Sequence, residues 1–247
     1  MKTGIGIAKM GKMDYDGKKA GKIRKLMKMG ETSMPVRLPE LPELLRDMLL
    51  EEAVEASIDE GRDVEALRFY GEPLPDTPGE TLEFSGCYFE KCEFRPTAAG
   101  RLVFVDCEFE KCDLDSMAFH KATFQRARFR RCRLMGAQFS ETPLLNVTFE
   151  NCLMDLCGFS DCKAQHIRFL ECRLKESGFF RFRWQDWTVR GCSFIGAEFQ
   201  ETALRGLDVT SCDLAGITVD LPALNGLIVT RDQALALAGL LGIKIKE

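Results

Sequence analysis

Residues 102–140 read LVFVDCEFEKCDLDSMAFHKATFQRARFRRCRLMGAQFS. Every fifth residue of this stretch is large and apolar: Phe104, Phe109, Leu114, Phe119, Phe124, Phe129, Leu134 and Phe139. Working outward, the same step runs back through Ala99, Phe94 and Phe89 to Phe84, and forward through Leu144, Phe149, Met154 and Phe159. It continues without insertion or deletion to Val219, apolar at every position. Neither the helix period of 3.6 nor the strand period of 2 produces such a pattern.

A second column lies two residues before the first. It is filled by small or medium side chains such as Cys87, Cys92, Cys107, Cys112, Ala122, Ala127, Cys132 and Ala137. Met117, Ile167, Phe182 and Trp187 are its main exceptions. The remaining positions are mostly polar or charged, so each five-residue unit directs two side chains inward and three outward. One unit cannot bury its apolar residue alone, so the units must wind and stack.

The segments Cys87-Tyr88-Phe89, Ala122-Thr123-Phe124, Ala137-Gln138-Phe139 and Ala197-Glu198-Phe199 resemble the pentapeptide-repeat family, whose unit is a small residue, a variable one, then Leu or Phe. The resemblance covers about Leu82 to Val219. It implies an all-β fold, a right-handed quadrilateral β-helix with four units per coil. On that basis the repeat spans about seven coils and a rod roughly 34 Å long at the strand spacing of about 4.8 Å.

The sequence carries an independent signature of the same coil length. All eleven cysteines fall in the small column. Seven of them, Cys92, Cys112, Cys132, Cys152, Cys172, Cys192 and Cys212, recur every 20 residues beside Leu-rich central positions. The two sides that hold Phe89 to Phe169 and Phe119 to Phe199 are Phe-rich instead. The phase reaches weakly back through Val64, Phe69 and Leu74. Disulfides are not expected: stacked cysteines have the right Cα separation but parallel Cβ vectors, and the count is odd. Nor is a metal, since His120 and His166, the two histidines, both occupy outward positions, and one ladder of thiols does not make a tetrahedral cage. Cysteine reads as a small buried hydrophobe, and no cofactor is expected.

Four segments emerge. Residues 1–33 carry nine basic and three acidic groups and are rich in Gly, Lys and Met. They read as a leader outside the fold, either a disordered tail or sequence upstream of a native start at Met34. Residues 34–80, with four basic and thirteen acidic groups, read as an N-terminal helical cap and linker. The cap helix carries Leu41, Leu44, Leu45, Met48 and Leu49, runs to about Asp59 and is stopped by Gly61. Residues 81–220 are the β-helix, nearly balanced at eighteen basic and twenty acidic groups. Residues 221–247 hold a capping and dimerisation helix, Asp232 to Leu241, opened by the capping box Thr230-Arg231-Asp232-Gln233 and closed by Gly242. Ala234, Leu237, Ala238 and Leu241 form one stripe on it and are the candidate homodimer interface. Helices that cap the rod and pair subunits are also what the resemblance implies.

The pattern contains no converging catalytic set, and a rod packed with Phe and Leu leaves no cavity for one, so no enzyme activity is expected. No apolar run is long enough to cross a membrane, and no signal peptide opens the chain, so a cytoplasmic protein is expected. The basic run Lys121, Arg126, Arg128, Arg130, Arg131 and Arg133 invites a nucleic-acid reading. However, Asp106, Glu108, Glu110 and Asp113 lie one coil below, and Glu150 lies one coil above Arg130, so the ladder should be internally neutralised. A nucleic-acid partner is therefore not expected. In the coil around Phe180, Phe182 and Trp187, large rings in the small column must either swell the core or turn outward as a partner surface. The chain thus reads as a protein-interaction scaffold with a protein partner. The alternative implied by the resemblance is a DNA mimic that protects a type II topoisomerase, as quinolone-resistance pentapeptide proteins do.

Overall fold

The computed structural model describes residues 36–95 and 100–243. The leader 1–33 lies outside the described residues.

The repeat winds into a right-handed quadrilateral β-helix of about eight coils. Successive coils pair as parallel strands in a constant register of 20 residues, for example Phe104 with Phe124, Phe129 with Phe149 and Phe159 with Phe179. Four sides follow in chain order. The first is centred on Phe84, Phe104 and Phe124, the second on Phe89, Phe109 and Phe129. The third is centred on Phe94, Leu114 and Leu134, the fourth on Phe119, Phe139 and Phe159. These central residues are all buried. The rings of the second side stack in file, with centroids 4.9, 4.4, 4.8 and 5.1 Å apart from Phe89 to Phe169. Stacking at coil spacing lets each ring bury its faces on its neighbours, worth about 2–3 kcal/mol of apolar transfer for each ring.

The corners explain the residues between the columns. The backbone takes positive φ at nearly every fifth residue, at the position just before each small inward residue: Lys91, Asp106, Lys111, Asp161 and Arg181 have φ between 48° and 56°. Left-handed backbone is uncommon outside glycine. Here it persists because the ladder and ring stacks on both flanks fix the chain's direction. Glycine holds several of these corners, among them Gly86, Gly136, Gly191, Gly196 and Gly206, and charged residues hold many of the others.

Two boundaries differ from the sequence expectation. The β-helix begins one coil earlier: Val64 pairs with Phe84, Phe69 stacks on Phe89 at 5.1 Å, and Leu74 N–H donates to Glu93 O at 2.8 Å. Residues 62–80 are therefore a coil and not a linker. The N-terminal helix α1 spans Leu50–Glu60, not Leu41 to Asp59. Pro39 and Pro42 disfavour helix before it, and Arg46–Asp47 instead pairs in parallel with Leu67–Arg68. Leu50, Ala53, Val54 and Ser57 bury one face of α1 at the start of the rod, while Leu44 is 85% exposed. Gly61 ends the helix in the left-handed conformation, φ 62°.

Upstream of α1 the chain forms an extended strap along the corner between the first and second sides. Arg37 N–H donates to Asn146 Oδ1 and Glu40 N–H to Asp106 Oδ1, each at 3.0 Å. Arg46 N–H reaches Ala66 O at 3.2 Å. Between Arg37 and Glu40 the strap crosses two coils in three residues, as an extended chain can.

At the other end, residues 221–229 add a partial coil, with Val209 N–H bonded to Ile228 O at 3.0 Å. Helix α2, Arg231–Ala238, follows and carries the expected capping box between Thr230 and Gln233. A 3-10 turn, Gly239–Leu241, continues to Gly242 at φ 70°. Gln233 Nε2 also donates to Val209 O and Cys212 O at 2.9 and 2.8 Å, tying the cap to carbonyls that the last coil would otherwise leave open.

Candidate interaction surfaces

The interior is lined by the two inward columns of the repeat. Among the described residues no three His, Cys, Asp or Glu side chains are grouped to hold a metal. All eleven cysteines are free and buried. In the stack the thiols from Cys92 to Cys192 lie within hydrogen-bond reach of main-chain carbonyls, as Cys112 does of Phe89 O and Glu110 O at 3.4 and 3.6 Å. Burial pushes the thiols of Cys107, Cys132 and Cys157 well up and that of Cys162 up to about 12, while hydrogen bonds from the neighbouring Cys107 and Cys132 pull Cys87 and Cys112 down; burial of all eleven keeps them from solvent and ligand alike. A depression of about 330 Å³ lies between the last coil and α2, lined by Leu214, Ile217, Leu237 and Leu240 among others. It has no converging acid and base.

The charge ladder of the second side meets across coils as the register requires. Asp106 takes a bidentate pair from Arg126, which raises the Arg126 pKa through that hydrogen bond. Glu110, only 3% exposed, faces Arg130 Nε at 2.9 Å and accepts from Arg131 Nε at 2.7 Å. Arg133 closes on Asp115, with Asp113 at 4.0 Å. One partner differs from expectation: Glu150 pairs through space with Arg128, at 2.8 Å, although its Cα partner is Arg130. Arg130 is held from below by Glu110, which frees the diagonal. His166, expected to point outward, sits 7% exposed at a corner with Nδ1 2.9 Å from Asp186 Oδ2.

The aromatic coil resolves toward a filled core. Phe182 and Trp187 are 1% and 5% exposed, so they do not form a partner surface. Trp187 packs between Phe179 and Phe182, with centroids at 5.2 and 5.1 Å. The ring displaced toward solvent is Trp184, whose Nε1 donates to Ala203 O at 2.6 Å. Of the three expected residues only Phe180 is part-exposed, with the Arg181 guanidinium 3.8 Å from its ring centroid. The expected dimer stripe on α2 is split as well. Leu237 packs against the core cluster of the rod, Ala234 is exposed and Ala238 part-exposed, and the Leu241 side chain is outside the described set. Leu235 and Leu240 are 45% and 42% exposed instead. No described helix is long and apolar enough to cross a membrane.

The description "Pentapeptide repeat region" matches residues 82–155 and 102–179. Among solved structures, full-length QnrB1, a plasmid-mediated fluoroquinolone resistance protein, aligns at 21% identity, covering 72% of this chain and 99% of that one with a TM-score of 0.33. HetL, a pentapeptide repeat protein involved in heterocyst differentiation regulation from the cyanobacterium Nostoc sp. strain PCC 7120, aligns at 12% identity over 68% and 93% of the two chains, TM-score 0.32. Rfr23 from the cyanobacterium Cyanothece 51142 aligns at 13% identity over 73% and 99%, TM-score 0.15. No curated protein matches the chain.

Proposed function

The chain belongs to the pentapeptide-repeat family, and from that premise we propose that it is a non-enzymatic scaffold that presents long flat sides to a protein partner. The supporting observation is the division of the repeat unit itself: two residues of every five close the interior, and three are free to vary on the surface. Such a solenoid builds an extended binding surface without a pocket.

The alternative, a DNA mimic acting on a type II topoisomerase, needs a regular negative strip. The second side offers Glu90, Glu110, Arg130, Glu150, Leu170 and Arg190 in one column, and its central acids are held by Arg126, Arg128, Arg130 and Arg131. That alternation favours the scaffold. Affinity capture with the whole chain, repeated with variants that reverse outward charges on one side at a time, tests the reading. One side's variants should lose a bound protein while the others retain it. Uniform capture by all variants would overturn it.

A further inference from the structure

The outward residues of the first side change character along the rod. The first coils present Asp63, Glu65 and Glu83. The middle presents Val103 and Val105, then Thr123 and Gln125, then Pro143 and Leu145, all partly exposed. The last coils present Lys163 and Arg183, both exposed, beside Gln165 and Gln185. The register runs unbroken through them: Glu83 pairs with Val103, Val103 with Thr123, Pro143 with Lys163, and Lys163 with Arg183.

Each end keeps an excess of one sign within the chain: Glu83 feels Arg101 but Asp63 and Glu65 as well, and Arg183 acts on Asp161. Lys163 and Arg183 are like charges on adjacent coils, a destabilising arrangement. Asp161, which feels Arg183, is already held by Arg181 at 2.6 Å. At the other end, burial together with Asp63 and Glu65 pushes the Glu83 carboxyl above its ordinary range, against the opposing charge of Arg101. The middle of the second side, by contrast, pairs Glu108, Glu110 and Glu150 with Arg128 and Arg130.

We infer that the first side is the contact face of a homodimer in which two rods lie antiparallel, related by a two-fold axis along the strand direction at the Thr123–Gln125 coil. This operation keeps position along the strand and reverses position along the rod. Asp63 then meets Arg183 of the second copy, Glu83 meets Lys163, Val103 meets Pro143, and Val105 meets Leu145. Thr123 and Gln125 meet their own copies on the axis. Every acidic coil faces a basic one and the apolar coils face each other, which is the self-complementarity an isologous interface requires. A parallel pairing would instead set Asp63 on Asp63 and Arg183 on Arg183. The strap adds to the centre: Leu38, 48% exposed, lies between the residues anchored at Asn146 and Asp106, and so passes the axial coil.

The test is the mass of the full chain in solution by light scattering at low salt. Wild type should have twice the monomer mass and dissociate as ionic strength rises and screens the end contacts. Lys163→Glu with Arg183→Glu makes both ends acidic, and Asp63→Lys with Glu83→Lys makes both ends basic. Each double variant should be a folded monomer by circular dichroism. An equimolar mixture of the two should return to the dimer mass, because each acidic end again has a basic partner. Misfolding cannot imitate that rescue. A monomeric wild type, a dimer untouched by both charge reversals, or a mixture that stays monomeric would each overturn the inference. So would a dimer broken by Leu235→Glu and indifferent to the first-side charges, which would place the contact on α2.

Discussion

Phe109 and Phe129 stack with ring centroids 4.4 Å apart and planes 7° from parallel. They are the tightest link in a file of rings that runs through the second side. Their burial is complete to within 1%, and the coils above and below fix their separation. Phe129→Ala should leave a cavity that the ladder cannot collapse, costing about 3–5 kcal/mol. The midpoint of urea unfolding measures it. A cost below about 1 kcal/mol would mean that the coils relax around the gap.

Glu110 is buried beneath Arg130 and Arg131. Glu110→Gln removes the charge both arginines share while keeping the volume. The expected loss is about 1–3 kcal/mol, limited because the arginines are partly in water. Arg131, more exposed than Arg130, should cost less when truncated to Ala. A neutral Glu110→Gln would show that packing alone holds this coil.

Thiol reactivity separates a buried ladder from a functional one. In denaturant without reductant, titration should count all eleven cysteines as free. In the native protein at pH 8, alkylation should be slow throughout, since all eleven thiols are buried away from the reagent, and for Cys162 burial also pushes the thiol up to about 12. Linked peptides 20 residues apart in sequence would contradict the free ladder.

The C-terminal cap depends on one side chain with two roles. Gln233 completes the capping box and donates to two carbonyls of the coil beneath. Gln233→Ala should cost about 1–3 kcal/mol and increase hydrogen exchange in residues 209–229 before the rest of the rod. Leu237→Glu, which places a charge against the core cluster, should promote aggregation through the uncovered end. Equal protection in wild type and Gln233→Ala would assign the cap to Leu237 alone.

A scaffold of this charge pattern should not relieve quinolone inhibition of DNA supercoiling by gyrase at micromolar protein. Clear protection would promote the duplex-mimic reading. The acids outside the arginine network, Glu198, Glu201, Asp208, Asp213 and Asp220, would then be the first to substitute.

The sequence alone determined the β-helix, its coil of 20 residues and its inward columns. The physical reason is that burial is periodic: Phe109, Phe129 and Phe149 have no other way to leave water together, and the cysteine column repeats in the same phase. The capping box at Thr230 was equally legible, because it is local. Tertiary structure decided what depends on distance through space. Pro39 and Pro42 turned an apparent helix into a strap anchored to Asn146, 109 residues away. Trp187 filled the core because Trp184 could move outward and find Ala203 O. Glu150 chose Arg128 over its own register partner because Arg130 was already engaged by Glu110. The acid-to-base polarity of the first side was present in the residues all along. It acquires meaning only when the fold sets Asp63, Glu83, Lys163 and Arg183 on one flat face, in one column, with the acids at one end and the bases at the other.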